Sequence, residues 1–513
     1  MPVFLRSLLC AALLLPAGQA ATAIEVTLNA TDLVRLPSGV FVAPGFVLPE
    51  DDGSLPIVAK GAGGDAAAHL RALQDLDLAR GFGGVIYDNR DRGHSALAPH
   101  LFPSLTRLAY GFELMADDLD YGLAGAIVLP FAVFGNSSTA ITRGDAPRSL
   151  VRHAMTRPGL PERQARLYQS NHLYIYPEHR DHDAIDLYPA NWPLTVTSQG
   201  SSGSDRPFLE AFAMTLAAFQ DETFARLSKE GLVAPTLQMI LRRSLTTVQA
   251  TEDYLSPAAH PVVFDAALLR PDRMVAQAAA LRPEDIPPMV RLEVVEDAFL
   301  AEAGLARLDE RLFDTPSAVA RVWRDFAWER DVLLSVAGTT DPNGRELRFS
   351  WRLLQGMPDR VSIEPLDPEG RTARVRVRWH DAFSVVHGGL PRVASRVDIA
   401  VFASNGTGES APAIFSISFP THQRRVYAAS EDKGVRLVSI DYDAIVRDAP
   451  YDPVLHWSAP WSDAPIHDDE RIVAWQRTEG PRAPRIVPHD APPAYRIDRA
   501  GRHAVLSEVP SAR

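Results

Sequence analysis

Near residue 330 the hydrophobic pattern of the chain changes period, and that change constrains the fold more than any single motif. Ahead of it, helical patterns with apolar residues three or four apart alternate with short apolar runs, the mark of βαβ units and a largely parallel sheet. Beyond it, stretches such as Arg374-Val375-Arg376-Val377-Arg378-Trp379 and Val397-Asp398-Ile399-Ala400-Val401 alternate strictly, as half-buried strands do. A chain of 513 residues also exceeds one ordinary core. The fold class expected is therefore α/β: a mainly parallel sheet flanked by helices over 24–330, then a β-sandwich over 331–421 and a β or irregular extension over 422–513.

Residues 1–23 read as a secretory signal peptide, with Arg6 as the positive start, an apolar stretch over 7–15, and Pro16 before small residues. Cleavage after Ala20 or Ala23 fits. The expected location is exported, periplasmic or extracellular, in a bacterial envelope. No later apolar run approaches the roughly 20 residues of a membrane span, so no integral membrane segment is expected after signal removal. The single cysteine, Cys10, lies inside that leader, which leaves the mature chain without a disulfide or a thiolate ligand. With 64 acidic against 52 basic residues the net charge is −12, and no local basic patch favours a nucleic-acid partner.

Within the first region, helices are expected over 65–80, 102–115, 161–168, 208–219, 223–229, 235–245 and 273–281. Strands are expected at Gly84-Val85-Ile86-Tyr87, over 126–134, at Leu173-Tyr174-Ile175-Tyr176 and at Leu194-Thr195-Val196-Thr197, with irregular β structure over 24–60. Each of the four strands runs into a polar loop. These are Asp88-Asn89-Arg90-Asp91-Arg92-Gly93-His94-Ser95, Gly135-Asn136-Ser137-Ser138-Thr139, Glu178-His179-Arg180-Asp181-His182-Asp183, and Ser198-Gln199-Gly200-Ser201-Ser202-Gly203-Ser204-Asp205. Carboxyl ends of parallel strands share one edge, where α/β sheets bind ligands, so the four loops are expected to converge.

The fourth loop allows three readings. Ser202 is a nucleophile candidate on a strand-to-helix turn resembling the G-x-S-x-G elbow of α/β-hydrolases, although Ser204 replaces the last glycine. Alternatively the loop binds an anion on its free amides, or it is simply a tight turn capped by Asp205. In the third loop His179, His182 and Asp183 suit a divalent metal such as zinc, though the Glu of H-E-x-x-H is missing. Without a metal, one histidine serves as general base, oriented by Asp181 or Asp183. In the first loop His94 is a further acid–base candidate, and Arg90 and Arg92 could either clamp an anion or pair with Asp88 and Asp91. Ligand contacts are expected from Asn89, Arg90, Asp91, Asn136, Gln199, Gly200, Ser201 and Asp205. His260 stands in the chain order of a Ser…His pair, although a histidine before proline is commonly a loop residue.

The segment Asp341-Pro342-Asn343-Gly344-Arg345-Glu346-Leu347-Arg348-Phe349-Ser350-Trp351 resembles the opening of PKD-type, immunoglobulin-like domains. Asn405-Gly406-Thr407-Gly408-Glu409-Ser410-Ala411-Pro412 resembles their final hairpin. The resemblance covers 331–421 and implies a sandwich module of the kind that accompanies exported enzymes acting on polymers. It implies nothing about mechanism. The function expected is an exported hydrolase acting on a small-molecule or polymer substrate, using His94, His179, His182 and Asp183 with either Ser202 or metal-activated water. The alternative is a non-catalytic exported binding protein for an anionic or carbohydrate ligand.

Overall fold

The computed structural model describes residues 24–50, 53–123, 127–140, 149–387, 389–430, 434–444, 455, 457–469, 471–490, 492–500 and 503–509. The expected signal peptide lies outside them. The first region is built on six parallel strands: β1 Glu25–Leu28, β2 Val85–Asn89, β3 Thr106–Tyr110, β4 Ala132–Asn136, β5 His172–Pro177 and β6 Val196–Ser198. They lie in the order β1-β3-β2-β4-β5-β6. The chain moves from β2 outward to β3 and then crosses to β4 on the other side of β2, so the order reverses between β2 and β4. That reversal opens a crevice beyond their carboxyl ends.

Helices α1 Asp65–Asp75, α2 Leu150–Thr156, α3 Leu160–Gln169, α4 Arg206–Ala218, α5 Asp221–Glu230, α6 Val233–Arg243 and α7 Pro271–Ala280 flank the sheet. The central strands are buried because both faces are covered: β4 is buried at all five positions and β5 at all six. One expectation fails here. Residues 102–115 are not one helix, because Thr106–Tyr110 pairs in parallel with β1 on one side and β2 on the other before a short helix at Phe112–Ala116. Filling that gap in the ladder outweighs the local helical spacing. The stretch 24–60 is irregular β structure as expected, with short strands at Glu25–Leu28, Val34–Arg35 and Phe41–Val42, the first of which is β1 at the edge of the main sheet.

Two further sheets follow. One is antiparallel, ordered β7-β10-β13-β12, with β7 Glu293–Asp297, β10 Glu329–Ser335, β12 Val361–Pro365 and β13 Thr372–Arg378. The other is ordered β8-β9-β17-β16-β11, with β8 Arg311–Thr315, β9 Ala318–Val322, β11 Arg348–Gln355, β16 Arg396–Ser404 and β17 Ala413–Ser418. Its only parallel pair is β9 with β17. These sheets take in strands from Glu293 onward, well ahead of the period change at 330. The early strands escape the alternation test because β9 is buried at all five positions.

The five-stranded sheet is covered on both sides. In β16, Val397, Ile399 and Val401 face a core shared with Trp323, Val375 and Trp379, while Ala400 and Phe402 join the core of the first region. A hairpin, β14 Phe383–His387 with β15 Leu390–Ala394, projects from this unit. The turn expected at Asp341 forms: its carboxylate accepts from Asn343 N (2.8 Å) and Arg345 N (3.0 Å). From Arg424 onward the chain builds a five-stranded antiparallel sheet and a hairpin around Trp457, Trp461 and Trp475.

At Gly135 the neighbouring strand β2 and the Tyr174 ring leave no room for a side chain. A Cβ there would stand against the Asp88 carbonyl oxygen and 2.9 Å from the Tyr174 ring. Both are fixed, Asp88 by the ladder and Tyr174 by its hydrogen bond to the Asp88 side chain. Gly135→Ala should therefore cost about 1–3 kcal/mol or more, read from chemical denaturation; an unchanged midpoint would contradict this packing.

Candidate functional site

Each of the four strand ends delivers a side chain or carbonyl into one hydrogen-bonded cluster across the crevice. Asn136, the last residue of β4, is wholly buried. Its carbonyl oxygen accepts from Tyr87 Oη (2.8 Å) and Asn89 Nδ2 (3.2 Å), and its amide donates to Ser95 O (3.2 Å) and Asp205 Oδ2 (2.5 Å). Burial pushes the Tyr87 hydroxyl up to about 12, so it remains a donor. Asn89 Oδ1 in turn accepts from the amides of Asp91 (3.1 Å) and Gly93 (2.8 Å), which shapes the first loop.

That loop carries Asp91 and His94. The Asp91 carboxylate accepts from the Ser138 hydroxyl and from Thr139 Oγ1 (2.6 Å), both in the loop after β4. His94 Nδ1 lies 2.6 Å from Ser138 Oγ and 3.1 Å from Asp91 Oδ2. With the Ser138 hydroxyl donating to Asp91, Nδ1 is assigned as the donor in this contact. The lone pair of neutral His94 is then on Nε2, and the side chain is 59% exposed. This is not a serine triad, because one imidazole nitrogen faces both the serine and the aspartate. It is an aspartate-oriented histidine whose Nε2 makes no described hydrogen bond.

The loop after β5 closes the cluster. His179 Nε2 donates to Ser138 O (2.5 Å), while His179 N donates to Gly200 O (3.1 Å) in the loop after β6. Burial holds the His179 imidazole below its ordinary range, hence neutral. Glu178 is buried and accepts from His182 N (3.1 Å), Gln199 Nε2 (3.0 Å) and Gly200 N (3.3 Å). Four of the nine described non-glycine residues with left-handed φ, namely Arg92, Ser95, His179 and Arg180, sit in these loops. Backbone strain of this kind concentrates where function fixes the chain.

The structure therefore brings together Asn89, Asp91, His94, Asn136, His179, Gln199, Gly200 and Asp205. It leaves the remaining expected residues apart. Ser202 and Ser201 are exposed, and no described histidine is hydrogen-bonded to Ser202. Asp205 does not cap α4 with its side chain; the carboxylate turns to Asn136, burial raises its pKa, and Oδ1 is left without a hydrogen bond. Arg90 is buried and donates to the carbonyls of Gly122 and Leu119, so it is not available as a clamp. Asp88 does not pair with Arg92; it accepts from Tyr110 Oη (2.9 Å) and Tyr174 Oη (2.6 Å), and Arg92 pairs with Asp118 and Asp120.

His179, His182 and Asp183 do not meet. His182 is buried edge-to-face against His387 of the β14–β15 hairpin (4.8 Å between centroids), and Asp183 is exposed. Among the described residues no group of three or more His, Cys, Asp or Glu side chains is placed to hold a metal ion. A zinc-type centre therefore has no ligand set there. Asp181 does not orient a histidine either; it pairs with Arg152 (2.6 Å). His260 is a core residue, its ring against Phe402 and its Nε2 2.5 Å from Tyr254 O, with burial holding its pKa well below the ordinary range. Ser138, Glu178 and Tyr87 were not singled out by the sequence. Ser138 and Glu178 lie inside the flagged loops, and only the strand order reveals their contacts.

Comparison with protein-family models finds no match, and neither does comparison with curated proteins. Among solved structures, a nucleoside hydrolase-related hypothetical protein from Saccharophagus degradans, described as associated with carbohydrate metabolism, aligns at 11% identity over 56% of this chain and 71% of its own, with a TM-score of 0.18. A likeness at that level assigns neither a fold nor an activity. No described helix is long and apolar enough to cross a membrane.

Burial pushes the Glu178 carboxyl up from 4.5 to about 7. The folded protein keeps this proton where the unfolded chain releases it, so Glu178 lowers stability progressively as pH rises from about 4.5 to about 7. Glu178→Gln should remove ~2 kcal/mol of that decline, measured from urea midpoints at the two ends of the window. An undiminished decline in the variant would contradict the assignment.

Proposed function

We propose that this chain is a hydrolase in which His94, held by Asp91 and Ser138, activates a water molecule at the crevice between β2 and β4. The observation that carries the reading is which His94 nitrogen is engaged: all three of its described contacts are made at Nδ1, and the side chain is largely exposed. A neutral imidazole oriented by a carboxylate through one nitrogen is a general base through the other. His94 Nε2 takes a proton from water as the water oxygen bonds to the electrophilic centre of the substrate. The imidazolium then returns that proton to the leaving group as its bond breaks. Asp91 stabilises the imidazolium, and Ser138, pinned through its carbonyl by His179, fixes the ring; both are positioning residues. Ser202 has no part in this chemistry.

The setting of the enzyme is part of the proposal. The leader-like sequence over 1–23 supports export to the periplasm or beyond, and the Asp341-Pro342-Asn343-Gly344 opening supports a PKD-type module after the catalytic region. The substrate is a small molecule or the end of a polymer that reaches the strand-end loops.

On whichever member of an ester, phosphoester, glycoside and peptide panel the protein turns over, His94→Ala should lower kcat by about a hundredfold or more, and Asp91→Asn should act in the same direction. Ser202→Ala should leave kcat unchanged, and a fluorophosphonate probe should not label the folded protein at Ser202. Full activity in His94→Ala would overturn the mechanism, as would labelling of Ser202.

A further inference from the structure

A cavity of about 630 Å³ opens beside Asp91, walled by the loop 118–123, Thr139 and the junction of α2 with α3. Two of its wall residues are neighbours of Asp91 itself. Tyr121 forms a backbone bridge with Asp91, and the Thr139 hydroxyl donates to the Asp91 carboxylate. Asp91 and His94 do not themselves line the cavity; Tyr121 and Thr139 link its wall to Asp91, and its volume suits a small molecule or one terminal unit of a larger one.

The lining has two parts. Leu150, Leu160 and the Tyr121 ring supply an apolar wall. Arg157, which ends α2, and Arg163, in the first turns of α3, supply two guanidinium groups to the same cavity. Among the described residues neither arginine has a carboxylate within ion-pair distance, whereas Arg92 and Arg152 nearby are both paired. Asp118 also lines the cavity, but its carboxylate is paired with Arg92; on a chain of net charge −12, the two arginines without an ion pair leave the concavity locally cationic, which attracts anions into it. Guanidinium groups match the planar two-oxygen face of a carboxylate or phosphate.

We infer that this cavity binds the substrate, and that the substrate carries an anionic group, carboxylate or phosphate, next to an apolar or ring portion. That the bound molecule is a substrate rests on the hydrolase reading, but the anion site itself does not. The anionic group lies at Arg157 and Arg163, and the apolar or ring portion packs against Leu150, Leu160 and Tyr121.

The test uses the full chain and three probes of similar shape: phenyl phosphate, benzoate and neutral benzamide, titrated by calorimetry. At least one anion should bind, benzamide should bind far more weakly, and the Arg157→Gln/Arg163→Gln double variant should lose anion affinity by about tenfold or more. Arg157 is exposed and Arg163 half-buried, and thermal melting of the variant checks that it folds. Preference for phenyl phosphate over benzoate, or the reverse, decides which group is natural. His94→Ala should retain anion binding, which separates the two claims. Anion binding that is lost in the double variant, with no member of the ester, phosphoester, glycoside and peptide panel hydrolysed, upholds the site and refutes the hydrolase. Failure of both anions to bind, or equal binding by the double variant, overturns the anion site whatever the enzyme hydrolyses.

Discussion

Asn136 must find partners for an amide and a carbonyl where no water reaches, and the site is organised around that requirement. A buried side-chain amide left unsatisfied costs about 1–3 kcal/mol for each missing partner. Tyr87, Asn89, Ser95 and Asp205 meet this need from β2, from the loop that follows it, and from the start of α4. Each partner is thereby fixed. Asn89 in turn shapes the loop that carries Asp91 and His94, and Asp205 is held away from the solvent end of its helix.

The same region is clamped from outside by the second unit of the chain. Arg392, on the β14–β15 hairpin, donates to the carbonyls of His182 and Asp183 and lies 3.4 Å from Gln199 Oε1. Val393 exchanges backbone hydrogen bonds with Ala184 and Asp186. Below the hairpin, burial would raise the Asp186 pKa, yet Arg396 at 3.0 Å holds the carboxyl below its usual range. These contacts lie beside an apolar interface in which Phe402 packs on Tyr254 and His260. Polar pairs buried at such an interface fix one relative placement of the two units, because any slippage would strand charge in the core.

Much of this was legible in the sequence, and the parts that were not have identifiable causes. Period and length revealed β2, β4, β5, β6 and six of the seven flanking helices to within a few residues, because their apolar spacing has a single solution. The short α2 was not anticipated. Strand β3 was hidden because Thr106-Arg107-Leu108-Ala109-Tyr110 pairs only once β1 and β2 leave a gap for it. Strand β9, buried on both faces, has no alternation to read. The four polar loops marked the edge where the cluster lies, but not the partners within it. His179 and His182 are three apart and look equivalent, yet one reaches Ser138 and the other packs on His387. A loop has no fixed period, so spacing carries no geometry there.

The mechanism stands on the placement of one proton. Selective ¹⁵N-histidine labelling, with His94→Gln used to assign the signal, reports which ring nitrogen carries hydrogen in the neutral form. The structure predicts Nδ1–H for His94, with the lone pair on Nε2. It predicts the opposite tautomer, Nε2–H, for His179, which donates to the Ser138 carbonyl. A His94 ring protonated at Nε2 would turn its lone pair into the cluster, leave no base facing the crevice, and contradict the mechanism at its first step.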